Sequence, residues 1–417
     1  MMLSVAEAVA RITGSITPLP AERVSLLDSA GRVLTVDAVA PYTLPHWDNS
    51  AMDGYAVRSG DIAGASRTSP VRLRVLETVA AGAFPTVPVT EHAATRIMTG
   101  APIPEGADSV VRVEDTDGGI DVVEVGDDRD ARRNIRPRGE DFESGETVIP
   151  AGTPVAPAQI GVLASLGLGT VEVHRRPLVA ILGSGDELMD LDRFHEVLAG
   201  KKIVSSNSYT LTALVRAAGG IPLLLGNAAD TPDALRELLQ RAAGADLIVT
   251  SAGASVGAFD YTRDVLASLG ATLDFWKVRM RPGAPIGFGS LGSTPWLALP
   301  GNPVSAMVTF ELFVRPVISR MLGHRRIFRR PIKVALGEAV TTGARLTHFL
   351  RAIVSVGEDG VLSARLTGPQ GSGILTSMAR ANALLIVPED RPRVDAGEQL
   401  HAILLSDEGQ LAGHFSL

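Results

Sequence analysis

Cysteine is absent from this 417-residue sequence, which excludes disulfide bonds, thiolate catalysis and cysteine metal sites. The eight histidines include no pair at i, i+4 spacing, which argues against a histidine-built zinc site. No apolar run reaches the ~18 residues that a transmembrane helix needs, and the N-terminal MMLSVAEAVA lacks the charged region of a signal peptide. We therefore expect a soluble, cytoplasmic protein without a membrane partner.

The chain also has no excess of basic residues, and its formal net charge is -7. This balance argues against general nucleic-acid binding, although a local basic cluster can still hold an anionic substrate. Hydrophobic residues make up 45% of the chain and charged residues 20%, a composition that folds. At about 100–200 residues per domain, the length predicts three or four domains.

Three apolar runs end in loops of glycine and small polar residues, and this pattern organises the chain. They are LVAILGSGDEL (178–188), ADLIVTSAGASVGAFDYT (245–262) and WLALPGNPVS (296–305). Helical patterns at 208–218, 232–243, 262–269 and 304–322 separate or follow them. Buried strands alternating with helices predict a doubly wound parallel sheet, and ligands bind such sheets at the carboxyl ends of the strands. We therefore place the active site among the three loops.

The remaining segments predict further domains around this α/β domain at 177–327. Helices are expected at 4–13 and 157–166, and the segment 142–176 is expected to pack against residues 1–45 as one discontinuous domain. Short β-rich runs predict a small, mostly-β domain inserted at 46–141. Residues 328–417 contain β-like runs separated by turns, which predict a C-terminal β-barrel or sandwich.

The GSGDEL loop combines glycine with two carboxylates just past a strand end. Gly183 and Gly185 permit close approach of a backbone or ligand. Asp186 and Glu187 suit a hard cation such as Mg²⁺, which takes one or two carboxylates together with phosphate oxygens. The alternative is that Asp186 only caps the following helix.

The TSAGASVGAFDYT loop offers backbone N–H groups that can cradle an anion. It lacks the GK[ST] of a Walker A loop. Asp260, at its end, could add a carboxylate to the metal or orient a nucleophile. A glycine loop alone is weak evidence, whereas two neighbouring loops that each carry an acid are stronger.

Two more stretches complete the predicted site. LPGNPVSA places a rigid turn before a helix N-terminus that offers donors to an anion, unless it is a plain structural turn. WKVRMRPGAP alternates Lys277, Arg279 and Arg281, so that on a strand all three share one face. That face would bind phosphate or another oxyanion, unless it is a solvated edge.

Polar density outside the α/β domain suggests a second wall of the cleft. It is highest in DNSAMDGYAV, RIMTGAPIPEGADSVV and the four-arginine loop RRNIRPRGEDFESG. Each has a plain alternative, a turn or a solvated loop. If these stretches form a wall of the cleft, the subunit must fold back, or pair with another subunit, to bring the two walls together.

Taken together, these motifs resemble one family, molybdopterin molybdenumtransferase (the MoeA family, similar to the E domain of gephyrin and its plant counterpart). The matching stretches run in the family's order from about residue 46 to 388, and they include NIRPRGED, RLTHFLRA and GPQGSGILTSMARANALLIVP besides those above. The resemblance implies an elongated first domain, the inserted mostly-β domain, a central doubly wound molybdopterin-binding α/β domain and a C-terminal β-barrel. It also implies a homodimer in which the α/β domain of one subunit faces the inserted domain of the other.

The implied reaction inserts molybdate into adenylylated molybdopterin with Mg²⁺ and releases AMP; molybdopterin adenylyltransferase is the upstream partner. The implied catalytic residues are Asp53, Thr99, Glu187, Asp230 and Asp260. The implied metal ligands are Asp186, Glu187, Asp230 and Asp260. The loops and the resemblance together give the expected cofactor-binding residues, which are Gly183, Ser184, Gly185, Ser251, Gly253, Ser255, Lys277, Arg281, Pro300, Gly301, Asn302, Pro303, Arg136 and Asp141. Arg136 and Asp141 could instead fix their loop as an ion pair.

The sequence departs from the family's pattern where some bacterial relatives have KPGKP and this chain has RPGAP. Arg281 keeps the charge but not the compact shape of lysine, and Ala284 removes a charge. The GSGDEL serine, often a threonine, is a minor change. The alternatives are a tungstate-inserting paralogue, a molybdopterin-adenylylating enzyme, against which the extra domains argue, and a non-catalytic gephyrin-like scaffold, against which Glu187 and Asp260 argue.

Overall fold

The computed structural model describes residues 2–251, 265–343, 345–357 and 360–406. Helices begin at the caps that the sequence offers: the Ser4 hydroxyl accepts from the N–H of Glu7, whose carboxylate accepts from the N–H of Ser4. Thr231 caps a later helix that starts with Pro232. The helices are α1 (Val5–Gly14), α2 (Pro157–Ser165), α3 (Phe194–Leu198), α4 (Ser206–Ala217), α5 (Pro232–Arg241), α6 (Pro303–Thr309), α7 (Arg315–Met321) and α8 (Leu375–Arg380).

Most of the regular structure is β. The strands are β1 (Ala21–Ser25), β2 (Ala38–Val39), β3 (Asn49–Ser50), β4 (Gly54–Val57), β5 (Val71–Val79), β6 (Ala93–Ile97), β7 (Ser109–Arg112), β8 (Val122–Val125), β9 (Ile135–Arg136), β10 (Thr147–Ile149), β11 (Thr170–His174), β12 (Leu178–Ser184), β13 (Leu188–Met189), β14 (Ile203–Val204), β15 (Ile221–Ala228), β16 (Leu247–Ser251), β17 (Ala271–Lys277), β18 (Met280–Arg281), β19 (Pro285–Leu291), β20 (Thr294–Leu299), β21 (Ile332–Leu336), β22 (Val340–Thr341), β23 (Thr347–Val356), β24 (Leu362–Leu366), β25 (Ala383–Val387), β26 (Arg393–Val394) and β27 (Gln399–Leu404).

The described chain divides into two compact units. The first contains Met1–Thr35, Gly152–Ala156 and Thr170–Leu417, and the second contains Val36–Ala151 and Pro157–Gly169. The four-domain boundaries expected from the sequence stay a prediction.

The first unit contains the predicted doubly wound sheet. Its strand order is β15-β12-β16-β20-β19-β17, with the first four strands parallel and the last two antiparallel. Side chains of β12 alternate between two cores: Val179 and Ile181 pack with α1, α4, α6 and α7, whereas Ala180 and Leu182 pack with α5. Burial on both faces explains why these strands are continuous apolar runs.

A closed barrel follows in the same unit. Strands β23, β24, β21, β27 and β25 pair in that order, and β25 pairs back with β23. Closure leaves no free edge among these five strands. Of the two predicted alternatives, a barrel or a sandwich, the structure is therefore a barrel. β18 adds to the barrel through β23, opposite Thr347 and His348.

The second unit is mostly β, as expected for the inserted region. Its largest sheet has the order β7-β4-β6-β5-β8. β4 lies between two neighbours, and its residues Tyr55 and Val57 pack into one core while Ala56 packs into another. These alternating buried side chains anchor the DNSAMDGYAV stretch, whose last four residues form β4.

Predicted helix boundaries agree with the structure to within a few residues, with one difference in kind. The predicted helix at 304–322 is interrupted by a π-helical segment, Phe310–Val314, between α6 and α7. The predicted helix at 262–269 lies partly outside the described residues, and 265–268 are helical. Within the described part of the chain, no helix is both long and apolar enough to cross a membrane.

Candidate functional site

The carboxyl ends of β12, β16 and β20 border a cavity of about 670 Å³ in the first unit. This volume suits a cofactor-sized ligand. The cavity brings together ten of the residues proposed for the site: Gly183, Ser184, Gly185, Glu187, Asp230, Ser251, Gly301, Asn302, Pro303 and, through its hydrogen bonds to Asp230, Asp186. The described ends of β12, β16 and β20 therefore meet at one edge of the sheet, where parallel α/β folds bind ligands; the rest of the loop after Ser251 lies outside the described residues.

The glycine of the GSGDEL loop that precedes the carboxylates has a steric role. Gly185 has φ of +145°, a conformation that side chains rarely adopt. A Cβ at this position would lie 2.6 Å and 2.8 Å from the two carboxylate oxygens of Glu187. Glycine at 185 therefore makes room for the Glu187 carboxylate.

Two aspartates of the cavity edge hold each other's loops. The N–H of Asp230 donates to Oδ1 of Asp186 at 3.0 Å, and the N–H of Asp186 lies 3.3 Å from Oδ2 of Asp230. Lys202 donates from Nζ to the carbonyl of Asp186. Asp186 thus joins the β15–α5 connection rather than capping a helix of its own loop.

The first turn of α4 also lines the cavity, and sequence reasoning did not assign it to the site. Asn207 donates from Nδ2 to Ser251 Oγ at 2.7 Å and to the carbonyl of Gly301 at 2.8 Å. Ser205 donates to Oδ1 of Asn227 at 2.9 Å, which ties the start of α4 to β15. The polar run SSNS at the start of a predicted helix was the available signal.

The turn between β20 and α6 presents the beginning of a helix to the cavity. Asn302 is the N-cap residue and Pro303 occupies the first turn, where its missing N–H costs nothing. The N–H of Val304 donates to the carbonyl of Ser372 at 3.1 Å. The loop 370–375 is thereby held against the start of α6.

A second cavity of about 410 Å³ lies beside the barrel and contains the predicted Arg281. Arg351, in β23, also lines this cavity, although only 1% of the residue is exposed to solvent. The Arg351 guanidinium donates to Ser377 Oγ at 3.0 Å and to the carbonyls of Gly371 and Pro369 at 3.0 and 3.4 Å. All of these acceptors are neutral, and burial lowers the pKa of Arg351.

Two arginines that line one cavity, one of them buried among neutral acceptors, offer the charge and the directed N–H donors that an oxyanion needs. Sequence reasoning found Arg281 but not Arg351. The loop that contains Gln370 and Gly371 lines this second cavity, and its continuation at Gly373 lines the first. The two cavities therefore share a loop.

The alternating cations of WKVRMRPGAP do not act as one face. Lys277 is exposed at the end of β17 and lines neither cavity. Arg279 donates to the carbonyl of Met2 at 2.9 Å and lies 3.4 Å from a carboxylate oxygen of Glu389. Of the three, only Arg281 lines either of these two cavities. β17 ends at Lys277 and β18 begins at Met280, so the three residues do not lie on one continuous strand.

Four predicted site residues belong to the second unit. The carboxylate of Asp53 accepts from the backbone N–H and from the hydroxyl of Thr99, both at 2.7 Å. These two hydrogen bonds, the backbone one first, hold the pKa of Asp53 below its usual value. Arg136 lies in β9, opposite Asn49 of β3, and Asp141 donates its N–H to the carbonyl of Leu44. Asp53 and Thr99 thus form a fixed, negatively charged pair.

The remaining predictions concern residues beyond these. Gly253, Ser255 and Asp260 lie outside the described residues. Pro300 directly follows β20 at the same turn but does not line the first cavity. Among the described residues, no group of three or more histidine, aspartate or glutamate side chains is arranged to hold a metal ion.

Comparison with known proteins covers nearly the whole chain. Three family models match: "MoeA N-terminal region (domain I and II)" at residues 3–167, "Probable molybdopterin binding domain" at 180–320 and "MoeA C-terminal region (domain IV)" at 333–405. A relative from Mycobacterium tuberculosis, molybdopterin molybdenumtransferase 2, is 41% identical over 90% of this chain and 93% of its own. The molybdopterin molybdenumtransferase of Nostoc is 36% identical over 92% of this chain and 88% of its own.

A solved structure agrees with the sequence comparison. The crystal structure of a molybdopterin biosynthesis moeA protein from Pyrococcus horikoshii has a TM-score of 0.83 and 30% identity, and it covers 97% of this chain and 100% of that one. The order of the matched regions and the fold therefore both agree with the family that the sequence motifs indicate. The chain belongs to the MoeA family of molybdopterin molybdenumtransferases.

Proposed function

We propose that this protein inserts molybdate into adenylylated molybdopterin and releases AMP. The observation that carries the proposal is the pair of cavities that share the loop 370–375. The larger cavity has small-residue loops and carboxylates, which suit a pterin bearing phosphates and a metal. The smaller has two arginines, which suit an oxyanion such as molybdate. A shared loop would bring the two substrates to neighbouring positions.

The donor set of the larger cavity fits Mg²⁺. Mg²⁺ in phosphate-handling sites takes only one or two protein carboxylates and fills its other positions with phosphate oxygens and water. Glu187 and Asp230 both line the cavity, and Asp186 is hydrogen-bonded to Asp230. One or two of these carboxylates and Asp260 would bind the ion directly, and the others would add negative charge around it. It would supply charge neutralisation to the pyrophosphate and to the departing AMP.

The chain's own residues would bind and orient the substrates. Backbone N–H groups at the strand ends, together with Ser251, would hold the phosphates of the adenylylated pterin. Arg281 and Arg351 would hold molybdate by charge and by directed N–H donors. Asp53 and Thr99 would face the site from a second subunit, since the family resemblance implies a homodimer. The substrate would come from molybdopterin adenylyltransferase in the cytoplasm.

The test is AMP release measured by chromatography. The purified protein is given adenylylated molybdopterin and Mg²⁺ with molybdate, with tungstate or with neither anion. We expect AMP release that depends on molybdate and that Glu187→Gln abolishes. Glu196→Gln is the matched control, because Glu196 is paired with Arg193 on the surface outside the cavity.

The same assay separates the alternatives. Stronger release with tungstate than with molybdate would identify a tungstate-inserting enzyme. Failure to release AMP with either anion, while the pterin still binds, would replace the transferase proposal with a non-catalytic binding protein.

A further inference from the structure

A single side chain, Asn207, connects three separate segments at the mouth of the larger cavity. It lies in the first turn of α4 and donates both hydrogens of its amide. One goes to Ser251 Oγ at the end of β16, and the other goes to the carbonyl of Gly301 in the turn after β20. Neither β16 nor β20 belongs to the same βα unit as α4. The contact is therefore a tertiary one.

The orientation of the Asn207 amide follows from the chemistry of its partners. A backbone carbonyl can only accept, so the nitrogen and not the oxygen of the amide must face Gly301. The Ser251 hydroxyl can donate or accept, and it adapts to that choice. At 2.7 and 2.8 Å both hydrogen bonds have ordinary lengths. An asparagine at this position is thus distinguished from an aspartate, which has no donor.

Holding the Gly301 carbonyl also fixes the next N–H group. The peptide bond between Gly301 and Asn302 is trans, since the described cis bonds lie elsewhere. In a planar trans peptide the N–H points opposite to the C=O. The direction of the Asn302 N–H at the start of α6 is therefore set by the hydrogen bond from Asn207.

The structure assigns Asn207 as a positioning residue that holds the end of β16 and the turn after β20 at the distance and orientation needed to bind the phosphate-bearing pterin. This inference rests on the proposed function. Asn207 acts through Ser251 and Gly301, both of which line the cavity. Its own helix is held independently, because Ser205 and Ser208 are bonded to Asn227 of β15. Loss of the Asn207 amide would therefore loosen the end of β16 and the turn after β20 and leave α4 in place.

The test measures the dissociation constant of molybdopterin by fluorescence titration of the full-length protein. Asn207→Asp keeps the shape but places an acceptor against the Gly301 carbonyl, and Asn207→Ala removes the donor. Without these two hydrogen bonds the pterin must itself order the end of β16 and the turn after β20, and we expect Kd to weaken by about tenfold in both variants. The control is Thr212→Val on the same helix, which removes only a bond to the carbonyl of Ser208.

Two further readouts separate positioning from general structure. In a double-variant comparison, Ser251→Ala added to Asn207→Ala should weaken Kd less than the product of the single effects, because one hydrogen bond is common to both changes. In the AMP-release assay the KM for the pterin should rise, and the KM for molybdate should stay within about twofold because Arg281 and Arg351 are untouched.

The outcomes are distinct from a failure of the proposed function. Wild-type protein that does not bind molybdopterin refutes both. If wild type binds and Asn207→Asp binds equally well, the positioning role is refuted and the proposed function stands. If Thr212→Val weakens Kd as much as the Asn207 variants do, the effect belongs to the general stability of α4 and the positioning role is refuted.

Discussion

Replacing Gly185 by alanine would move the Glu187 carboxylate without changing Glu187 itself. The added Cβ would lie 2.6 and 2.8 Å from the two carboxylate oxygens, closer than the 3.4 Å of an ordinary contact. The carboxylate must therefore retreat by about 0.8 Å on one oxygen and 0.6 Å on the other, or the backbone must shift. The charge, the metal-binding chemistry and the hydrogen-bonding capacity of residue 187 all remain.

Two effects of different size follow from this change. The φ of +145° at Gly185 is a glycine conformation, and forcing alanine into such a region costs about 1–3 kcal/mol of folding stability. A misplacement of about 1 Å at a reacting centre can reduce the rate by about 10²-fold. With a shift somewhat below 1 Å, we expect Gly185→Ala to lower the rate of AMP release by at least about tenfold.

A matched control separates strain from displacement. Gly200 lies in the same connection, at φ of +74°, and a Cβ there would meet nothing within 4 Å. Gly200→Ala should therefore lower stability by about 1 kcal/mol without moving Glu187. The two variants are compared by thermal unfolding and by single-turnover AMP release. Equal rates in Gly185→Ala and Gly200→Ala would show that the placement of the Glu187 carboxylate does not limit the reaction.

Two further predictions concern the proposed oxyanion site and the proposed dimer. Arg351→Met removes a buried charge that would face the anion. Because a charge pair at ~4 Å is worth ~4 kcal/mol at an effective dielectric constant of 20, we expect the KM for molybdate to rise at least tenfold while pterin binding is unchanged. An unchanged KM would show that Arg351 does not belong to the anion site. Mixing inactive Asp53→Asn with inactive Glu187→Gln, followed by subunit exchange, should restore about a quarter of wild-type activity. About half of the randomly formed dimers then contain one variant subunit of each kind, and one of the two sites in each such dimer is intact. A mixture that stays inactive would contradict a site shared between subunits.

Much of the fold could be predicted from local patterns. The capping box at Ser4 and Glu7, the Thr231–Pro232 helix start and the apolar runs of β12, β16 and β20 each depend on residues close in sequence. Such features are set by backbone sterics, capping hydrogen bonds and side-chain periodicity. The doubly wound sheet followed because apolar strands alternate with helices, and the structure confirms it.

Part of the site was predictable for the same reason. Parallel strands share one carboxyl edge, so the loops after β12, β16 and β20 had to converge once the sheet was predicted. Closure of the barrel was not predictable from periodicity, since a barrel and a sandwich have the same alternation of side chains. It depends on β23 pairing with both β24 and β25.

The sequence by itself therefore determined the family, the order of the elements and the edge of the sheet where the cavity lies, because these depend on short-range patterns and on motif order. Only the tertiary structure decided that Arg351 joins Arg281 in one cavity, that Arg279 is instead engaged with Glu389, and that Asn207 bridges the end of β16 and the turn after β20. These contacts join residues tens of positions apart. Their geometry is set by how the barrel and the sheet pack, which no local pattern of residues encodes.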